Sequence, residues 1–176
     1  MRIIAELTSD DVERTLLALA SLPKWIRENG GDPDLVPSLV DLTRHGEVDI
    51  RRMATWALGR LGLAKVGDAS AIPALNASLS DEDPEIRENS AWALGEMTGL
   101  GIGNVTSIGH LNSRLNDAEP SVRGMVAWAL GRLASRKGVA DVSSRPLLVE
   151  LLEDDSEQVR KAAAISLAEI GACLGI

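Results

Sequence analysis

Around Ile86, Ser90, Ala93, Leu94 and Met97, apolar and small side chains recur at three- and four-residue steps, the spacing of one buried helix face. A shorter apolar run, Ser144-Arg145-Pro146-Leu147-Leu148-Val149-Glu150-Leu151-Leu152, reads as a second kind of helix. Its Pro sits in the opening turn, where the missing N–H costs little. A polar turn of the type Asp81-Glu82-Asp83-Pro84-Glu85 joins the two kinds. There Asp83 is placed to cap the following helix, Pro84 to take its first position, and the acids to favour its positive end. The pattern predicts short helices (A) alternating with longer ones (B). Gly62, Gly67, Gly99, Gly101, Gly103 and Gly138 punctuate the helix ends, and nothing reads as a sheet.

The pattern repeats. Trp56, Trp92 and Trp128 lie 36 residues apart, each opening the tetrapeptide Trp-Ala-Leu-Gly. The same offset aligns Arg51, Arg87 and Arg123, and Arg160 joins after one inserted residue. Six places before these arginines stand His45, Asp81, Asp117 and Asp154; eight places after stand Gly59, Gly95, Gly131 and Ala168. Pro37, Pro73, Gly109 and Pro146 mark the A helices. The first segment follows more loosely, with Thr15 in place of the Arg. Repeats of approximately 1–32, 33–68, 69–104, 105–141 and 142–176 account for the chain as a single domain.

Composition narrows the function. The 176 residues carry 18 Lys and Arg against 26 Asp and Glu, a net charge of −8 that repels polyphosphate and argues against nucleic acid as the main partner. With four Trp and no Phe or Tyr, the core must be built from Leu, Ile, Val and Ala. The single cysteine, Cys173, excludes an internal disulfide and any cysteine zinc cluster, and fits a reducing cytoplasm. No apolar run approaches the roughly 18 residues of a membrane span, and the N-terminus has no secretory pattern.

An A helix with Pro-Xaa-Leu, an Asp-Pro-Glu-Ile-Arg turn and a B helix with Ala-Xaa-Ala-Leu-Gly together resemble the HEAT repeat. The short variety first associated with phycobilin lyases is the nearest. Ala71-Ile72-Pro73-Ala74-Leu75, Asp81 to Arg87 and Ala91-Trp92-Ala93-Leu94-Gly95 carry the resemblance. It implies an all-α, right-handed α-solenoid of about five two-helix repeats, with the B helices lining a concave face. It also implies a structural ladder in which Asp81, Asp117 and Asp154 pair with Arg51, Arg87, Arg123 and Arg160 between successive repeats. A guanidinium entering a helix stack needs acceptors, and carboxylates at the neighbouring turn supply them. The period is longer than in the short variety, because Leu63 to Val66 are extra, so helix B or its exit loop should be lengthened.

Helical spacing places Arg52, Trp56 and Arg60 on one stripe, and likewise Glu88, Trp92 and Glu96, then Gly124, Trp128 and Arg132, then Lys161, Ile165 and Glu169. Across stacked B helices the row after the tryptophans alternates in sign, as lateral ion pairing would select. On this account the stripe is a decorated surface. On the other, Trp56, Trp92 and Trp128 with Arg52, Arg60 and Arg132 bind an extended protein or peptide partner.

Catalytic constellations are scarce. His45 and His110 are the only histidines, and no metal-binding His or Cys spacing or phosphate loop occurs. Deoxyhypusine hydroxylase, a HEAT-like enzyme, carries His-Glu iron ligands just after the helix-B Arg. Here those positions read Arg52-Met53, Glu88-Asn89, Gly124-Met125 and Lys161-Ala162, so no metal is expected. HEAT-like DNA glycosylases use Trp, Asp and Arg in a groove, which the acidic balance disfavours. The sequence therefore predicts a non-catalytic protein-binding or scaffold module without cofactor. The alternative is a subunit of a phycobilin-lyase-like chromophore-handling complex. Leu167, Ile170, Cys173, Leu174 and Ile176 make an apolar last helix, which predicts self-association or docking through that end.

Overall fold

The computed structural model describes residues 2–102, 105–136 and 142–175. Among them lie ten α-helices, no strand and one 3-10 turn at Leu151–Glu153. The A helices are α1 (Arg2–Leu7), α3 (Leu35–Leu42), α5 (Ala71–Ser78), α7 (Thr106–Asn112) and α9 (Arg145–Glu150). The B helices are α2 (Val12–Asn29), α4 (Val48–Leu63), α6 (Pro84–Thr98), α8 (Pro120–Ala134) and α10 (Glu157–Leu174). Each A helix packs on the B helix that follows it, and each B helix packs along the next, whereas successive A helices barely touch. The result is an α-solenoid in two layers.

Local chemistry sets the boundaries. Asp83 Oδ1 accepts the Ile86 N–H at 3.2 Å and Pro84 takes the first position of α6. Asp11 caps α2 in the same way, accepting the N–H groups of Glu13 and Arg14. The core runs through the stack as one seam: Leu22, Leu58, Leu94 and Leu130, one in each of the first four repeats, are at most 2% exposed. Ile86, Ser90, Ala93, Leu94 and Met97 are all buried, and the hydroxyl of Ser90 donates back to the Ile86 carbonyl at 2.6 Å.

The extra residues after helix B form a tight exit. α4 runs to Leu63, and the Val66 N–H then reaches back to the Leu61 carbonyl at 2.9 Å across Lys65, whose φ is 61°. One repeat later the Ile102 N–H bonds the Met97 carbonyl across Gly101, φ 77°. Both are left-handed helix terminations that satisfy an otherwise open carbonyl. Gly103 and Gly138 lie outside the described residues.

The C-terminal helix departs from expectation. Ile170 is fully buried and Leu167 is half-buried, so both belong to the core; Cys173 is exposed. The side chain of Leu174 and residue Ile176 lie outside the described residues. The exposed apolar side chains of α10 are instead Ala164, Ile165, Ala168 and Ala172, interspersed with the exposed Lys161 and Glu169, while Val159, Ala163 and Ile170 are buried. Among the described residues no helix is long and apolar enough to cross a membrane, and no group of His, Cys, Asp and Glu is placed to hold a metal.

Candidate functional site

Every B helix from α4 onward places its arginine at the same height. Arg51 Nε donates to Asp81 at 2.9 Å, Arg87 Nε to Asp117 at 2.7 Å and Arg123 Nε to Asp154 at 2.7 Å, and in each case Nη2 reaches the second carboxylate oxygen. The Nη1 group of each arginine turns the other way, onto two carbonyls of its own repeat's turn; for Arg87 these are Asp81 and Glu82, both at 3.0 Å. Asp81 is thus a node, its carboxylate taken by one repeat and its carbonyl by the next. Thr15 makes the same six-residue reach with a hydroxyl, to the Ser9 carbonyl at 3.2 Å. With no arginine there, the next repeat has no aspartate: His45 Nδ1 accepts the Glu47 N–H at 3.0 Å, as the aspartates accept theirs. Arg160 bonds the carbonyls of Asp154 and Asp155 but has no carboxylate partner among the described residues.

These pairs shift the titration of their members. Hydrogen bonding to its carboxylate raises each of Arg51, Arg87 and Arg123 beyond the ordinary guanidinium value. The Arg123 guanidinium holds Asp154 below the usual carboxylate range. For Asp117, burial pushes the carboxyl up, and the Arg87 hydrogen bond with the Glu119 N–H outweighs it.

The tryptophans form a half-buried row on the B helices. The indole of Trp92 lies against Gly59 of α4, and that of Trp128 against Gly95 of α6. Arg60 stacks over Trp56 at 5.6 Å and Arg132 over Trp128 at 5.1 Å. Arg132 also donates through Nε to the Gly95 carbonyl at 3.1 Å, clipping α8 to α6. The fourth member of the row, Ile165, is 56% exposed; at its junction Ser166 reaches the Ala127 carbonyl at 2.7 Å and Gly131 lets the helices approach.

Among the described residues the lateral ion pairs expected from the alternating rows do not form. Arg60 and Arg132 turn onto the indole of their own helix, and Lys161 pairs with Glu157 four residues back. Arg52 reaches past Glu88 to the cap of α6, where its Nε donates to Asp83 at 3.0 Å, with Asp49 and Glu85 also within ion-pair range. Asp83 therefore serves a helix end and an arginine at once. The Arg52 hydrogen bond is the main reason its carboxyl is held below the usual range. Cap and ladder aspartates both lie in the acidic turn, a signal that marks Asp83 as a cap but not as the partner of Arg52.

Between α6, α8 and α10 a cavity of about 410 Å³ opens on the tryptophan row, its lining including Glu88, Trp92, Gly124, Met125, Trp128 and Ala162. A second opening of about 180 Å³ lies beside Arg52, Met53, Trp56 and Glu85.

A family model described as HEAT repeats matches residues 61–114 and 108–172, more than half of the chain. The chain belongs to the HEAT-repeat family. No curated protein matches it. Among solved structures, it is similar to a designed armadillo repeat protein in complex with the peptide (KR)4, at 20% identity and a TM-score of 0.75, over 99% of this chain and 85% of that one. It is also similar to the complex of CpcE and CpcF of phycocyanin lyase from Nostoc sp. PCC7120, at 24% identity and a TM-score of 0.75, over 97% of this chain and 64% of that one. An engineered protein aligns at 21% identity and a TM-score of 0.72, over 97% and 78% of the two chains. These likenesses establish the α-solenoid fold of this HEAT-repeat chain.

Proposed function

We propose that this HEAT-repeat chain is a non-catalytic module that binds a protein segment in extended form along its B-helix face. The observation that carries the reading is the row Trp56, Trp92 and Trp128: three half-buried indoles, one per repeat, with an open cavity between two of them. Indole supplies large contact area at low conformational cost, and such rings dominate interface energetics. The B helices pack closely while the A helices hardly meet, which supports the B side as the inner, concave side of the stack. Arg52, Arg60 and Arg132 serve this site as a frame, since each is engaged with Asp83 or an indole and holds the surface in shape. A designed armadillo protein of similar fold holds a peptide, which supports the mode of binding. Residence in the cytoplasm fits the single, exposed Cys173.

The test is recovery of a partner by affinity capture with mass spectrometry, followed by affinity measurement with Trp56, Trp92 and Trp128 each changed to Ala. Loss of about tenfold or more in at least one variant is expected for an interface anchor; unchanged affinity in all three removes the reading.

The exposed end of the row on α10 supports a second contact. Ile165 is exposed and Arg160 lacks the carboxylate that its counterparts have. We infer that this end of the row, where Ile165 stands in place of a tryptophan, docks a second copy of the chain. Sedimentation of the wild type beside Ile165→Glu, Ala168→Glu decides it: a larger species lost in the variant is expected, and identical monomers would overturn it.

A further inference from the structure

Gly124 stands inside α8, where glycine is among the poorest helix formers. Gly59 and Gly95 are required by their neighbours, because a Cβ would meet an indole carbon at 2.4 Å and 2.3 Å. Gly124 is not required. A Cβ there would find only Val159, at 3.8 Å and beyond, and its φ is not left-handed. What the glycine does provide is space. At the same position of α4, Arg52 covers the surface and about 180 Å³ stays open; at Gly124 no side chain intrudes and the cavity is about 410 Å³.

The chemistry of that cavity is specific. Glu88 is its one charged lining residue, half-buried and without an ion pair or hydrogen bond among the described residues. Trp56 and Trp128 each carry an arginine over the ring, but Trp92 has Glu96 where they have Arg60 and Arg132, and among the described residues no cation lies over it. A partly desolvated carboxylate and an open indole face call for the same occupant. An acidic side chain would meet Glu88 as a like charge. A purely apolar one would bury Glu88 unpaired. A long aliphatic stem ending in a cation satisfies both, its methylenes against Met125 and Ala162 and its charge between Glu88 and the ring.

We propose that the cavity at Gly124 is a subsite for one lysine or arginine side chain of an extended partner. The assignment rests on the B-helix face being the binding face, and it adds the chemistry of the partner. The net charge of −8 draws such a partner in from a distance.

The probe is an octapeptide with Lys at alternate positions among Ser, set against analogues with norleucine or Glu in place of Lys. Binding is followed by calorimetry on the wild type and on Gly124→Met, Glu88→Gln and Glu150→Gln. Gly124→Met fills the space, Glu88→Gln removes the charge, and Glu150→Gln removes the same charge from an exposed position on α9. The Lys peptide is expected to bind, to weaken about tenfold or more in the first two variants and to be unchanged in the third. Melting temperatures of the variants at or near wild type keep the comparison clean, and Glu88→Gln alone decides if Gly124→Met misfolds. Norleucine binding as tightly as Lys, or Lys binding indifferent to both variants, overturns the subsite. In those cases Trp92→Ala separates the two levels: a peptide lost with the indole leaves the B-helix face as the binding face, and a peptide retained removes that too. Absence of binding by all three peptides overturns the subsite and leaves the broader reading to partner capture.

Discussion

The indole of Trp92 occupies the notch that Gly59 leaves in the preceding B helix: a Cβ at residue 59 would stand 2.4 Å from two of its ring carbons. Trp128 and Gly95 repeat the relationship at the next junction, with 2.3 Å. The glycine here is part of the repeat-to-repeat packing, and the tryptophan is the knob that fills it. Gly59→Ala is therefore expected to lower stability by about 1–3 kcal/mol, in spite of alanine's better helix propensity, because the ring must move. Gly124→Ala has nothing to displace and is expected to raise stability by about 0.5–1 kcal/mol. Urea denaturation of the two variants beside wild type should move the midpoint in opposite directions; a shared direction would show that the notch is not the determinant.

Among the ladder pairs, Arg87 and Asp117 are the most enclosed, with side chains 12% and 3% exposed. Asp117→Ala strips two hydrogen bonds from Arg87 and leaves its Nε and Nη2 facing a repeat junction without an acceptor. It also removes the acceptor of the Glu119 N–H, which orders the turn into α8. A loss of about 3 kcal/mol is expected for breaking an enclosed pair from one side. Thermal unfolding measures it. Removing the acid at Glu85, an exposed partner of Arg52, should change stability by less than about 1 kcal/mol.

Much of this architecture is legible along the chain because burial and repetition use the same positions. Leu58, Leu94 and Leu130 are both the period and the core, so reading one yields the other. The arginine rungs are legible for a related reason: a turn acid and a helix-B arginine recur at fixed separation, and only the family resemblance says which repeat each arginine reaches. Arg52 defeats the same logic. Rows drawn across neighbouring helices place it opposite Glu88, but its side chain reaches forward to the cap of α6 instead. The Trp–Gly notch was hidden differently. Gly59 and Trp92 each sit in a visible 36-residue series, yet they meet 33 residues apart, a separation that belongs to the stacking angle of two helices and not to either series. Gly124 was visible only as a gap in a row of charges; its volume depends on Trp92 and Trp128 lying on both sides.

Acid should unfold the solenoid through its aspartates. Asp83, Asp117 and Asp154 are held below their ordinary range, whereas in the unfolded chain each returns to about 3.9. A carboxyl whose folded value is depressed contributes stability that is fully present above the unfolded value and lost as the pH falls through the folded one. Stability is therefore expected to be flat from about pH 8 to pH 5 and to decline below about pH 4. Asp154→Asn is expected to be less stable at neutral pH and to decline less steeply in acid. Chemical denaturation across this range gives both slopes, and parallel curves for wild type and variant would remove Asp154 from the acid response.

Lys65 carries the exit from α4 at φ 61°, the one non-glycine residue with positive φ among the described residues, where the equivalent residue one repeat later is Gly101 at 77°. The turn is held by the Val66 N–H on the Leu61 carbonyl, so its geometry is set by the helix end and not by the side chain at 65. A left-handed conformation costs an ordinary residue about 1–2 kcal/mol because its Cβ crowds the neighbouring carbonyl. Glycine escapes that cost but gives up chain entropy in the unfolded state, which offsets part of the gain. Lys65→Gly is expected to stabilise the protein by about 0.5–1 kcal/mol, and Lys65→Val to destabilise it, since a β-branched side chain tolerates this region least. Neither change touches the tryptophan row, so peptide affinity should stay constant while the unfolding midpoint moves. Equal midpoints for the Gly and Val variants would mean that the exit of α4 opens without cost to the stack.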